Sequence, residues 1–290
     1  MKAANFGQLV RELRKTTSDP HGNRWTRETL SKQIHLSVDQ FGRLERGDRK
    51  YFDHQTLSLL ANIFRLTPVE RKEFLMVAAG ITDIDIVYDI TPGEQLSRLI
   101  DVVGDLLAPA FILDAFQDVI AINNTCRNLF LINNDVIDYS QQQAAGFNLL
   151  YYLYSPDLGF KDLIGQTWKE IAIVQIHQLR RTSFRFRHER YYKILFDTLF
   201  KIPQFSIDWY TSHKLDLDYY VEYEHFAYDH PFHGPLSYIA TETNITTKHG
   251  ELQLIIYNPT NTETTTVFKE LTGHGRIKPT RLASWPDKNI

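Results

Sequence analysis
Arg43 and Arg46, three residues apart in SVDQFGRLER (residues 37–46), have the type and spacing to read another molecule. On a helical wheel they share one side with Val38, Asp39 and Gly42, while Phe41 and Leu44 take the other. A guanidinium pairs bidentately with a guanine edge, a Val methyl touches a thymine methyl, and a carboxylate accepts from cytosine. Arg43 and Val38 therefore suit base reading. Asp39 suits it too, although near a helix N-terminus it also favours the dipole. Gly42 either admits close approach to DNA or is simply tolerated, at about 1 kcal/mol relative to Ala. Arg27, Arg46, Arg49 and Lys50 suit phosphate contacts, which position a protein without specifying sequence. The plain alternative is an ordinary helical hairpin in a bundle.

Other chemistry is thin. No Gly-x-Ser-x-Gly elbow, phosphate-binding glycine loop or His-Glu-x-x-His pair occurs. His225, His230 and His233 are close enough to suggest a metal, but Pro231 interrupts them and no thiolate accompanies them. Asp83 and Asp85 lack the alternating oxygen ligands of a calcium loop. The single cysteine, Cys126, excludes an internal disulfide or a multi-cysteine zinc site. It has no evident base partner and reads as a packed residue. The expectation is a protein that is not an enzyme, with no catalytic residue, no metal and no required cofactor.

The arginines need a scaffold, and the flanking sequence supplies one. Ser37 can cap a helix with Gln40 completing a capping box, and Gly47 is placed to end it. Upstream, TRETLSKQIHL is a second short helix with Leu30 and Ile34 inward and a turn at His35-Leu36. Two short helices joined this way make a helix-turn-helix. A first helix repeats Phe6, Leu9, Val10 and Leu13 and ends before Pro20 and Gly22. Asp53 opens a fourth with Leu57, Leu60, Ala61 and Phe64 inward. Thr67, Pro68 and Glu70 open a fifth that stops at Gly80. Residues 1–80 thus form an all-α domain.

Residues 81–107 read as a linker and a connecting helix over 94–107. Its stripe of Leu96, Leu99, Ile100, Val103 and Leu107 is either a dimer seam or core packing. Residues 108–272 open with AFILDAF and DVIAINN, a hairpin turning at Phe116-Gln117. Helices follow over 125–131, 147–154, 160–181 and 189–200. The period then switches to two in KLDLDYYVEYEHFA, residues 214–227, with further strands at 235–244 and 251–257 and a helix at 262–271. This order predicts an α+β domain, an antiparallel sheet with its helices on one face. Residues 273–290 read as a loose tail.

Composition agrees. The chain has 290 residues, 43% apolar, and a net charge of −3. Residues 1–80 carry 14 Lys and Arg against 9 Asp and Glu; the rest carry 18 against 26. A basic head on an acidic body fits a nucleic-acid reader joined to a regulatory domain. No apolar stretch reaches 18 residues, which predicts a soluble cytoplasmic protein without membrane insertion.

FGQLVRELRK, ETLSKQIHLSVDQFGRLERG and LSLLANIFRLTPVERKEFLMVAAG together resemble the XRE-type, lambda-repressor-like helix-turn-helix domain. Departures are His35, where a glycine is more usual, and Gly42 inside the helix. PAFILDAFQDVIAIN, CRNLF, TWKEIA through LRR, FSIDW and HPFHGPLSY come in the order found in the PAS-like ligand domain of MmyB-like regulators. The resemblance implies a transcription regulator, acting on double-stranded DNA, whose PAS-like domain senses a small-molecule effector.

Thirty of the 37 aromatics lie beyond residue 80. Phe111, Phe130, Trp168, Trp209, Phe232 and Tyr238 come from different elements that could converge on one ligand. Arg180 and Arg181 either meet a ligand carboxylate or satisfy the end of their helix. The expected ligand is small and hydrophobic, of the fatty-acid kind. The competing reading is a DNA-tethered interaction or dimerisation scaffold with a filled, non-sensing C-terminal domain. In either case a homodimer is expected, since one recognition helix reads only a few base pairs.

Overall fold
A computed structural model describes residues 5–48, 52–81, 91–212, 225–247, 249–273 and 277–288. Arg49, Lys50, the linker aspartates Asp83 and Asp85, and positions 214–224 of the expected strand lie outside the described residues.

The N-terminal part holds five helices: α1 (Phe6–Thr16), α2 (Arg27–Gln33), α3 (Val38–Arg46), α4 (His54–Ile63) and α5 (Pro68–Ala78). Each begins where a short polar side chain, from Asn5, Thr26, Ser37, Asp53 or Thr67, accepts a backbone N–H three residues on. Satisfying these orphan donors is typically worth about 1 kcal/mol per cap. The helices close on Leu9, Val10, Leu13, Leu30, Phe41, Leu44, Leu60 and Phe74. Gly7 lets α1 lie against the C-terminal end of α3. A Cβ there would run into Leu44 O, and would stand 2.8 Å from Gly47 N and 2.9 Å from Glu45 O.

The C-terminal part is built on an antiparallel sheet of six described strands in the order β3-β4-β5-β1-β2-β6. These are β1 (Ala110–Leu113), β2 (Val119–Ile122), β3 (His225–His230), β4 (Gly234–Thr247), β5 (Gly250–Pro259) and β6 (Thr280–Arg281). Alternation sends Phe111 and Leu113 to one face and Ala110 and Ile112 to the other. The first face is covered by α7 (Asn124–Leu129), α8 (Asn134–Gln142), α9 (Leu149–Tyr154), α10 (Phe160–Ile164), α11 (Trp168–Thr182), α12 (Arg190–Leu199), α13 (Pro203–Thr211) and α14 (Thr262–Thr272). The single helix expected over 160–181 is broken because Gly165 sits at φ +66, outside helical space.

The second face is covered by the connecting helix α6 (Pro92–Asp105). Its Leu96 and Val103 pack with Ile112, Ile120, Leu252, Leu254 and Trp285. Most of its stripe therefore serves as core, with Leu99 and Ile100 half-buried against the same cluster, while Leu107 beyond the helix is 58% exposed. The tail is not loose either. β6 pairs with β2, Trp285 is buried in the same cluster, and Lys288 hydrogen-bonds Asp118 at 2.5 Å beside Asp114. Burial of two apolar side chains and an ion pair holds a segment whose proline and lysine content reads as coil.

Candidate functional site
The first candidate surface is α3. Ser37 Oγ accepts from Gln40 N at 3.1 Å and Gln40 Oε1 accepts from Ser37 N at 2.8 Å, which fixes the helix start. The turn before it places His35 at φ +57, the conformation that glycine more often supplies. Phe41 and Leu44 are fully buried, so the helix can present only its other side. That side carries Val38, 42% exposed, with Asp39, Arg43 and Arg46. Arg43 Nε lies 3.1 Å from Asp39 Oδ2 and Arg46 Nε 2.9 Å from Asp48 Oδ2, both pairs well exposed. Exposed pairs of this kind are weak, so either arginine can turn to another partner at little cost.

Two expected contacts carry further detail. Gly42 lies on the Arg46 side of α3 and is covered there, since a Cβ would meet the Arg46 guanidinium at 3.5 Å. Arg27 Nε bonds Glu45 Oε2 at 2.6 Å while Arg14 Nε takes Glu45 Oε1 at 2.6 Å. Glu45 is buried on the inner side of α3, so these two arginines tie α1 and α2 to α3. Arg27 keeps a side chain 44% exposed.

The second candidate is a cavity of about 560 Å³ between the sheet and α9 to α11. That volume lies within the usual range for small-molecule sites. Its wall is mostly apolar, with aliphatic side chains such as Leu113, Ile122, Ile164 and Ile255 beside the rings of Phe111, Phe130, Tyr152, Phe160, Tyr238 and Tyr257. Phe130 meets Phe160 and Tyr257 edge-on at 5.5 and 5.8 Å. Burial pushes the Tyr238 and Tyr257 phenols and the Cys126 thiol upward, so these lining groups stay neutral. A buried thiol held neutral in this way fits a packed residue. One stretch of the wall is polar and comprises Gln175, Gln178, Thr241, Glu242 and Gln253.

Of the residues expected around a ligand, Phe111, Phe130 and Tyr238 line this cavity. Trp168, Arg180, Arg181, Trp209 and Phe232 are not among the described residues that do. Trp168 is in the core and donates its indole N–H to Leu153 O at 2.6 Å. Phe232 is 77% exposed in the β3–β4 turn. Arg181 sits at the polar edge, donating to Glu251 at 2.6 Å and lying 3.7 Å from Glu242.

Arg180 belongs to a different place, the junction between the two parts of the chain. Its guanidinium lies 3.7 Å over the Trp209 ring and donates to Trp209 O at 2.5 Å. It also donates to Glu70 Oε1 at 3.2 Å, and Arg187 donates to the same oxygen at 2.5 Å. Glu70 accepts from Thr67 N at 2.9 Å through its other oxygen, so one carboxylate both caps α5 and receives two cations. Burial works to raise Glu70, but Arg180, Arg187 and the Thr67 hydrogen bonds hold it below the usual carboxylate range. Arg185 Nε adds a 2.8 Å contact to Glu73, and Phe184 is fully buried in the core of the helical head. Nothing local in the sequence marked this junction, because its partners stand more than 100 residues apart.

His230 accepts from Phe232 N at 3.2 Å and His233 lies 3.8 Å from Glu270. No group of three His, Cys, Asp or Glu placed to hold a metal occurs among the described residues. His177 is buried near Arg180 and is lowered to about 4, first by burial and then by that guanidinium.

The family of the MmyB-like transcription regulator ligand binding domain matches residues 93–271, more than half of the chain. Among curated proteins none matches.

Proposed function
The chain belongs to the MmyB-like transcription regulator family through its ligand-binding domain, and from that premise we propose a sequence-specific DNA-binding regulator whose effector is a hydrophobic small molecule. The observation that carries this reading is the cavity of about 560 Å³, walled mainly by aliphatic and aromatic side chains and lying within the matched residues. A scaffold with no sensing role would have that space filled with side chains, because protein interiors close-pack and leave few voids larger than a water. The fatty-acyl kind of chain suits the wall, since apolar surface buried there contributes roughly 25 cal/mol per Å².

On the DNA side, Arg43 is the base reader, Val38 and Asp39 flank it, and Arg46, Arg49 and Lys50 meet phosphates. Such heads act in pairs on half-sites about 34 Å apart, so the protein is a homodimer on its operator. No described helix is long and apolar enough to cross a membrane. The test is native mass spectrometry of the purified chain, then organic extraction. An amphiphile released in about equimolar amount is the expected result, and a chain that carries nothing and takes up no apolar probe refutes the sensor. Sedimentation as a monomer both free and on DNA would refute the dimer.

A further inference from the structure
The end of the cavity away from Glu242 and Gln253 holds a second set of polar atoms, and they are phenols. We propose that the effector is polar at both ends: besides its head group it carries a neutral oxygen function, a hydroxyl or a ketone, that Tyr238 and Tyr257 hold by hydrogen bonds. The proposal rests on reading the cavity as the effector site and names the class of ligand that fits it.

The strands set the spacing. Side chains alternate along a strand, so Tyr238, Ala240 and Glu242 of β4 share the helix-covered face. Their register partners Phe226 on β3 and Tyr257 and Ile255 on β5 share it too. Tyr238 and Glu242 are four residues apart, or roughly 13 Å along the strand. Tyr257 and Gln253 repeat that separation on β5. Between the two ends Phe111, Ala240 and Ile255 line the wall and offer a ligand no side-chain hydrogen bond. A ligand that lies along these strands therefore meets polar groups twice, with an apolar span between.

At the phenol end the hydroxyls are open to such a ligand. The Tyr238 and Tyr257 rings are 4.8 Å apart at their centroids, and among the described residues neither hydroxyl makes a hydrogen bond. Tyr238 is 3% exposed, so bulk solvent does not replace the missing partner. Tyr228, whose ring lies 6.0 Å from Phe130, has a buried hydroxyl without a partner as well. A tyrosine buried for packing alone normally finds its O–H a partner, and an unmade bond costs more than a phenylalanine in its place. Burial comes first in raising both lining phenols; Cys126 and Tyr228 add to it for Tyr238, and Tyr238 and Cys126 for Tyr257. These groups are therefore near neighbours, and each phenol stays protonated, able both to donate and to accept. A hydroxyl can use both roles, and a ketone accepts from either ring.

The experiment titrates the delipidated intact chain with decanoate, laurate and myristate, each beside its ω-hydroxy form, and reads affinity by calorimetry. In a purely apolar pocket a buried hydroxyl without a partner weakens binding at every length. Here the ω-hydroxy acid is expected to bind roughly fivefold tighter than the plain acid at the length that reaches both ends, the scale of one net hydrogen bond. Tyr238→Phe and Tyr257→Phe should each reduce that advantage and together erase it, leaving the plain acid's affinity unchanged. Both variants keep their rings and lose a hydroxyl that bonds no described residue, so their urea midpoints are expected to match that of the unmodified chain. No length that favours the hydroxy acid, or an advantage that the double variant keeps, overturns the two-ended effector while the cavity stands. Equal losses for plain and hydroxy acids overturn it too, since the carboxylate would then be what the phenols hold. Binding by none of these acids overturns the effector site itself, and this assignment with it.

Discussion

Replacing Glu70 by Gln isolates the charge at the junction, because the amide oxygen can still accept from Thr67 N and keep the cap. Loss of the cap alone would cost about 1 kcal/mol. The charge matters more. Arg180 and Arg187 are both buried, each already has an Nε without a partner, and Glu70 is the anion they share. Removing one member of a buried ion cluster typically costs about 3–5 kcal/mol, chiefly because the remaining charge is stranded. With an m-value near ~3 kcal/mol per M, the urea midpoint should fall by about 1 M or more.

The same logic predicts rescue. Glu70→Gln combined with Arg180→Met and Arg187→Met removes the stranded charges and should recover most of the loss, since buried clusters often do no better than apolar replacements. The pH dependence has a definite sign. Glu70 is held below its usual 4.5, so its contribution is complete above that value and is lost as pH falls through the lowered folded value. Urea unfolding followed by circular dichroism measures all three. A loss under about 1 kcal/mol for Glu70→Gln would mean water reaches the cluster, and the shared carboxylate would not be what holds the junction.

Three further outcomes are expected. Arg43→Ala should cost about 1–3 kcal/mol on a specific site and relax sequence preference, whereas Lys50→Ala should weaken all DNA and lower the salt slope; equal losses on specific and random DNA for both would remove Arg43 from base reading. Gly7→Ala should destabilise the head by about 1–3 kcal/mol through overpacking against the α3 backbone, and an unchanged midpoint would show that α1 can shift freely. Asp114 is pushed up to about 6, first by burial, with Lys288 opposing and Asp118 adding. Its contribution is therefore complete below its ordinary 3.8 and lost as pH rises through about 6, so Asp114→Asn should flatten that part of the stability–pH curve. Parallel curves for the variant and the parent would refute the shift.

The head was legible because its signals are local. Ser37, Gln40 and Gly47 mark both ends of α3 within eleven positions, and the structure has a cap, a reciprocal box and a left-handed terminus there. The hairpin of β1 and β2 was legible as two apolar runs about a tight turn, and β4 and β5 as further strands, whereas β6 fell in the expected tail and the alternating positions 214–224 lie outside the described residues. α8 and α13 were not: α13 is short and opens at Pro203 without a side-chain cap, and α8 has only two buried positions. The cavity was half legible. Aromatic density pointed to it, but which rings face it depends on how each helix is rotated, as Trp168 and Trp209 illustrate. Arg180 and Arg181 make the limit plain. Adjacent residues on a helix point about 100° apart, and this rotation sends one to the junction and the other to the cavity edge. No property of the pair Arg-Arg says which goes where. The tail failed for the same reason, because Lys288 finds its carboxylates 170 residues away.

That rotation also joins the two sites. α11 lines the cavity with Ile171, Val174, Gln175 and Gln178, and five residues after Gln175 it places Arg180 against Glu70 at the start of α5. The head is thus held to the ligand-binding domain by a helix that also lines the cavity, whereas α6 packs on the opposite face of the sheet. An effector that shifts α11 has to move the head or break a buried cluster. Packed interfaces resist continuous deformation, so the response is a change between discrete arrangements. Such coupling is typically worth about 1–3 kcal/mol, or roughly 5- to 150-fold in operator affinity, and DNA must alter effector affinity by the same factor. An effector with equal affinity for both arrangements shifts nothing, however tightly it binds. Glu70→Gln should therefore reduce the coupling while leaving effector binding to the cavity intact. The measurement is affinity for a selected operator with and without the amphiphile that binds tightest, at fixed salt, in parent and variant. Equal coupling in both would place the transmission elsewhere than α11, and no coupling in the parent would make the cavity a structural one.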